Sequence, residues 1–308
     1  MCSTDKCLEI FTTSGIYQVF PPESLDPKEM NPDMPSMTKK VSDYGTQNWI
    51  VARVMVQNYK IVEYHAFLKE EEKALFARRL HDLMDSLLIC SEAADYLTAK
   101  VDEVEKQVTL GEIKASGNVF ENFPTTEGIE DKLTSFLTKA KHSIQRIIDI
   151  FNFFDDSKIT NPRIDLLIDW CEKESTPPEI IEYLKYFEPL AKYLIDLRNS
   201  QEHPSKSKRF EFTDFTILPG NEISAPLWGI NEPKSSIHKE MNALIREFVA
   251  FSEWLIIHLV LSKQEESPIF GYQVIEIPEE HRDPKCPIKY TIEICFKPKG
   301  EQGSGGNA

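Results

Sequence analysis

The sequence is short of glycine, of paired cysteines, of long apolar runs and of positive charge, and each shortage excludes something. Only 12 glycines beside 19 prolines in 308 residues remove collagen-like and low-complexity organisation. Six cysteines (Cys2, Cys7, Cys90, Cys171, Cys286 and Cys295) are scattered with no CxxC pair, which fits a reducing compartment better than a disulfide scaffold. The longest apolar run, Trp254 to Leu261, is broken by His258 and is too short to cross a bilayer. The start, MCSTDKCLEIF, lacks the basic and apolar regions of a signal peptide. The expectation is a soluble cytoplasmic protein without a membrane partner. Lys+Arg number 35 against 50 Asp+Glu, a formal charge of -15, so the mean field repels phosphate and any nucleic-acid site must be a local basic patch. There is no GxGxxG, GxxxxGK[ST], GxSxG, HExxH or EF-hand loop, which removes most motif-bearing enzyme classes.

What is present is enough apolar material, 41% of residues, for about two average domains or one large one. Residues 1–45 carry Pro21, Pro22, Pro27, Pro32 and Pro35 and read as an irregular arm with possible short strands between Leu8 and Phe20. Residues 46–264 read as a helical domain. Thr46 to Gln107 contains neither Gly nor Pro, and Leu75, Leu80, Leu83, Met84, Leu87, Leu88 and Leu97 recur at helical spacing, for one very long helix or two consecutive ones. Residues 108–128 read as a loop through Gly111, Gly117, Pro124 and Gly128. Further amphipathic stripes follow over 129–154, after Pro162, after Thr176 and over 235–262. Thr176-Pro177-Pro178-Glu179 has the form of a capping box, and Pro189 is expected to kink the helix it opens. Alternating residues from Phe210 to Ile217 and from Glu222 to Trp228, about the turn Pro219-Gly220-Asn221, predict a hairpin before the last long helix. Residues 265–308 read as a second β-hairpin, Tyr272–Ile277 with Ile288–Phe296, and a disordered tail from Gly300. The fold class is mainly α.

The informative cluster is Leu197-Arg198-Asn199-Ser200-Gln201-Glu202-His203-Pro204. In an uninterrupted helix Arg198 and His203 lie roughly 140° apart, but Pro204 disfavours helical geometry at His203, so the helix ends there and the imidazole can swing toward the arginine. Lys206, Lys208 and Arg209 follow at once. A permanent cation, a titratable ring and an amide beside three further cations suit RNA cleavage without a metal. Histidine can move the protons of the 2′-OH and the leaving 5′-oxygen, and arginine can hold the phosphate. The same residues also suit an ordinary solvated helix end.

Leu197–Pro204 resembles the RNxxxH form of the RX4-6H motif of the HEPN superfamily, and the setting is similar: a helical body with the motif ending the penultimate long helix. The resemblance implies a HEPN-type bundle over about Thr46 to Ser262 and a metal-independent endoribonuclease of toxin or antiviral type, needing no cofactor. It implies Arg198 on the phosphate, His203 as acid and base and Asn199 positioning groups, in a composite site at a homodimer interface. Lys206, Lys208 and Arg209 would bring in the RNA, and an antitoxin or sensor protein is a possible partner. Two other readings stay open: a non-catalytic dimerisation or scaffold module, and the HEPN partner of a nucleotidyltransferase.

Other candidates are weaker. Asp165, Asp169 and Glu172 share a helix face but read as its solvated side. His281, Cys286 and Cys295 lack paired knuckle spacing for zinc. His258 reads as a buried, hydrogen-bonded histidine, while His65, His81 and His142 lie on polar stretches without functional signal. Phe210, Phe212, Phe215 and Trp228 can either stack on bases or pack the hairpin against the helices.

Overall fold

The structure, a computed structural model, describes residues 2–3, 7–63, 68–116, 119–120, 122–174, 176–264 and 269–296. His65, Gly117 and the tail from Gly300 lie outside the described residues. In chain order come strands β1 (Cys2–Ser3), β2 (Leu8–Thr12) and β3 (Gly15–Phe20), the short helix α1 (Pro22–Leu25) and β4 (Met37–Ser42). A π-helix (Val51–Gln57) then runs into α2 (Asn58–Glu63), followed by α3 (Glu70–Thr109), β5 (Ala115–Ser116), β6 (Val119–Phe120), α4 (Ile129–Phe154), α5 (Ile164–Lys173) and α6 (Pro178–Glu202). Next are β7 (Phe210–Thr213), β8 (Thr216–Ile217), β9 (Ile223–Ser224), β10 (Leu227–Ile230), β11 (Ser235–Ser236) and α7 (Ile237–Ser262). Strands β12 (Phe270–Glu276) and β13 (Tyr290–Phe296) close the described chain. The fold is mainly α, about 54% helical. Among the described residues no helix is long and apolar enough to cross a membrane.

Two compact units divide the chain, one of residues 1–81 with 253–308 and one of residues 82–252, so the boundaries fall inside α3 and α7. In the first unit, the short strands expected between Leu8 and Phe20 form as β2 and β3, and β1 and β4 extend them into an antiparallel sheet in the order β1-β2-β3-β4. The prolines between β3 and β4 break the chain locally but leave Met37–Ser42 free to pair with β3, from Phe20↔Met37 to Ile16↔Ser42. Farther on, Arg53 and Gln57 both donate to the carboxylate of Glu253, which is 1% exposed. Gln57 Oε1 in turn accepts the backbone N–H groups of Lys289 and Tyr290 at 2.5 and 2.8 Å. A buried carboxylate is tolerated when charge and hydrogen bonds surround it in this way. Strands β12 and β13 pair antiparallel from Phe270↔Phe296 to Glu276↔Tyr290.

The second unit holds the predicted cluster. Leu133, Phe136, Leu137, Ile144, Ile147, Ile148 and Phe151 of α4 are buried, as are Ile180, Leu184, Phe187, Leu194 and Leu197 of α6. Each such side chain contributes roughly 1.5–3 kcal/mol on leaving water. Gln201 Nε2 donates to Thr134 Oγ1 at 2.8 Å, joining the last turn of α6 to the first turns of α4. The capping box does not form. Pro178 holds the preceding Pro177 extended (ψ 133°), so Pro177 rather than Thr176 caps α6, and Glu179 is left as an acid in the first turn, where the helix dipole favours it. Helix α6 runs on through Pro189.

Between α6 and α7 lies a three-stranded sheet, β11-β10-β7, with Trp228↔Phe212 and Ile230↔Phe210 in register. Trp228 is fully buried, its ring 5.8 Å from Phe136 and its Nε1 donating to Glu240. The chain leaves β10 in a tight turn: a Cβ on Gly229 would sit 2.1 Å from the Glu232 carbonyl oxygen, so only glycine fits. Asn231 follows at φ 64°, a left-handed conformation that asparagine tolerates better than most residues.

Candidate functional site

Helix α6 ends at the predicted place. The His203 N–H donates to Asn199 O at 2.8 Å, closing the last turn, while φ −132° and ψ 66° take His203 itself out of the helix. A following proline disfavours the helical region at this position. The His203 side chain is exposed at the carboxyl end of the helix. The chain then turns on itself: Ser205 N–H donates to Lys208 O at 2.9 Å, and Lys208 N–H donates to Ser205 Oγ at 3.0 Å. Asn231 clamps this turn from the sheet, accepting the Arg209 N–H on Oδ1 and donating Nδ2 to Ser207 O, both at 2.8 Å. Asn231 is a site residue that sequence reasoning missed. Its position two residues beyond a glycine at a strand end was the available signal.

The six predicted residues share this end of α6 but do not all point into one place. Lys206 and Arg209 line an open groove of about 600 Å³, together with Pro204, Ser205, Glu211 and Asn231. Lys208 reaches back to α6 instead, its Nζ 2.8 Å from Asp196 Oδ2. Arg198 is largely covered, its side chain 12% exposed, and its Nη2 is paired with Glu202. Asn199 lines a separate groove with Arg163, Asp165, Lys192 and Asp196.

Electrostatically, Arg198 belongs with α4. His142 is exposed, yet partial desolvation by its neighbours lowers its pKa, and the cations Lys139, Arg146, Lys141 and Arg198 lower it further. Arg198 is therefore close enough to α4 for its charge to act on His142, a histidine without functional signal in the sequence. Arg146 is itself engaged by Asp149 at 3.1 Å and Asp82 at 3.7 Å.

The remaining candidates resolve into structure. Arg163 pairs with Asp165, and Lys185 lies 2.5 Å from Glu172, while Asp169 is exposed, so the acidic face of α5 is a solvated one carrying two ion pairs. Among the described residues no group of three or more His, Cys, Asp or Glu side chains is placed to hold a metal. His258 is half-buried and stacks on Trp254 with centroids 3.8 Å apart. Trp228 and Phe215 are buried, which removes them from base stacking: Trp228 packs on Phe136 and Phe215 joins Val101 and Val104 of α3. No family model, no curated protein and no solved structure matches the chain.

Proposed function

We propose that the chain is a HEPN-type, metal-independent endoribonuclease, acting in the cytoplasm as a homodimer and serving as the toxic effector of a defence or stress system. The observation that carries the reading is an exposed imidazole, His203, capping the helix that also carries Arg198, directly before a clamped turn whose Lys206 and Arg209 face an open groove. In this reading His203 accepts the proton of a ribose 2′-OH. The 2′-oxygen attacks phosphorus, the bond from phosphorus to the 5′-oxygen breaks, and an imidazolium returns a proton to that oxygen. Arg198 offsets the charge that develops on the phosphoryl oxygens; the pair with Glu202 uses Nη2, and its other N–H donors remain for phosphate. A second copy would supply the other histidine, which a single chain does not provide. An antitoxin or sensor protein would be its partner.

The test is cleavage of RNA by purified protein with EDTA present. Wild type should leave a 2′,3′-cyclic phosphate and a 5′-hydroxyl, and Arg198→Ala and His203→Ala should each lower the rate by about 10²–10⁴. Cleavage that survives both substitutions overturns the reading. So does activity lost to EDTA and restored by added metal. The competing reading, a non-catalytic helical module, draws on the Arg198–Glu202 pair inside the motif, which is also how a plain helix end looks. Growth on induction separates them: a toxic wild type with harmless Arg198→Ala and His203→Ala variants is the nuclease.

A further inference from the structure

Helix α4 carries a feature that runs against the composition of the chain. Acids make up 50 of 308 residues, about one in six, yet from Lys132 to Ile148 there is none, while Lys132, Lys139, Lys141, His142 and Arg146 all fall in that stretch. Its buried stripe faces the core, so these residues must lie to the sides and the outside of the helix. Their engagements differ. Lys132 sits over the Tyr96 ring at 5.0 Å, and Arg146 is paired with Asp82 and Asp149. Among the described residues neither Lys139 nor Lys141 forms an ion pair; both are half-buried, one on each flank of the exposed His142. Helix α6 adds Arg198 to the same neighbourhood, held against α4 by the Gln201–Thr134 hydrogen bond near the end where His203 emerges.

We propose that the outer face of α4, through Lys139, Lys141 and His142 with Arg198 beside them, is a track for the phosphate backbone of single-stranded RNA leading to the α6 terminus. The inference rests on the ribonuclease reading for its ligand and adds where the strand lies. Unpaired lysines on a helix are suited to backbone contacts because they follow phosphates without fixing base identity. On a body of net charge -15, an acid-free stretch of this kind repels a polyanion less than the acid-bearing ends of the same helix. Beyond His203, the exposed Lys206 and Arg209 line a further groove, with Arg209 3.9 Å from Glu211.

The experiment measures binding of a labelled RNA of about 20 nucleotides to the His203→Ala protein across a salt series, by fluorescence anisotropy. Lys139→Gln with Lys141→Gln should weaken binding about tenfold near 0.1 M salt and reduce the salt slope by about 1.4, two single-strand phosphate contacts' worth. Lys234→Gln, a lysine 3.0 Å from Glu232, is the control and should change neither. An unchanged thermal midpoint in the double variant confirms that it is folded. Equal affinity and slope in the double variant overturn the track, and if wild type still cleaves RNA the nuclease reading survives alone. Binding lost in the double variant while wild type cuts no RNA keeps the track and discards the nuclease. A poly-glutamate peptide that binds as tightly and with the same lysine dependence overturns the assignment to RNA.

Discussion

Arg198 Nη2 donates to Glu202 Oε1 one turn farther along α6, so the cation of the motif is engaged by an acid of the same motif. An i,i+4 pair of this kind on a partly exposed helix contributes only about 0.3–0.5 kcal/mol to stability. Its larger effect is on the phosphate, which must share the guanidinium with a carboxylate. Glu202→Gln should therefore leave the urea midpoint almost unchanged while raising RNA affinity and cleavage several-fold. A variant that cleaves more slowly would mean that Glu202 orients Arg198 rather than restraining it.

The three cations after His203 are not equivalent. Lys208 is held 2.8 Å from Asp196, whereas Lys206 faces the groove beside Arg209. Lys206→Gln should flatten the salt dependence of RNA binding by about 0.7, one contact on a single strand. Lys208→Gln should flatten it less, since that ammonium already has a counter-charge. Equal slopes for the two variants would show that Lys208 leaves Asp196 when RNA arrives.

Much of the helical frame was legible because its signal is local. The stripes of α4 and α7 repeat often enough to fix both their extent and their buried faces, and both hairpins announce themselves by alternation around turn residues. Leu75 departs from its stripe, 37% exposed near the start of α3. In the N-terminal sheet β4 was hidden, because MTKKVS is a mostly exposed strand without an apolar alternation, recognisable only once β3 is beside it. The π-helix was equally hidden, since a run such as Val51–Met55 is apolar whatever its hydrogen-bond spacing. At the site, the end of α6 could be read from Pro204, because a proline restricts the residue before it. The pairing of Arg198 with the surroundings of His142, and of Asn231 with the cationic turn, could not, because each joins residues far apart in sequence.

Trp228 discriminates between the two uses open to the hairpin aromatics. It is fully buried against Phe136 and Phe210 and donates to Glu240. Trp228→Ala should cost about 3–5 kcal/mol of unfolding free energy, seen as a lower urea midpoint, because it leaves a cavity where a fully buried ring stood and removes one donor from Glu240. Trp228→Phe should cost less, keeping most of the volume but losing the Nε1 hydrogen bond. If Trp228→Ala leaves stability intact and weakens RNA binding instead, the ring is a stacking platform and the packing described here is wrong.

His142 and His238 give the protein a common pH signature. Desolvation, by burial at His238 and only partial at the exposed His142, is the first cause of the lowered pKa in both; Lys139, Arg146, Lys141 and Arg198 add to it at His142, and Lys239 adds to it at His238 against the opposing Glu105 and Asp102. A histidine whose folded pKa lies below its unfolded value of about 6.5 favours folding when neutral, so its contribution is complete above that pH. It is lost as the pH falls through the folded pKa, and His142→Gln should reduce this acid-side loss. RNA on α4 would act in the opposite sense. Phosphates beside Lys139, Lys141 and Arg198 offset the cations that depress His142, while Arg146 keeps its partners Asp82 and Asp149 and Glu202 keeps its place on Arg198. The His142 pKa should rise on binding, a proton should be taken up, and RNA affinity should strengthen as the pH falls through the ordinary histidine range. NMR titration of the His142 ring with and without RNA in the His203→Ala protein measures this directly. A His142 pKa that RNA leaves unmoved would place the strand away from α4.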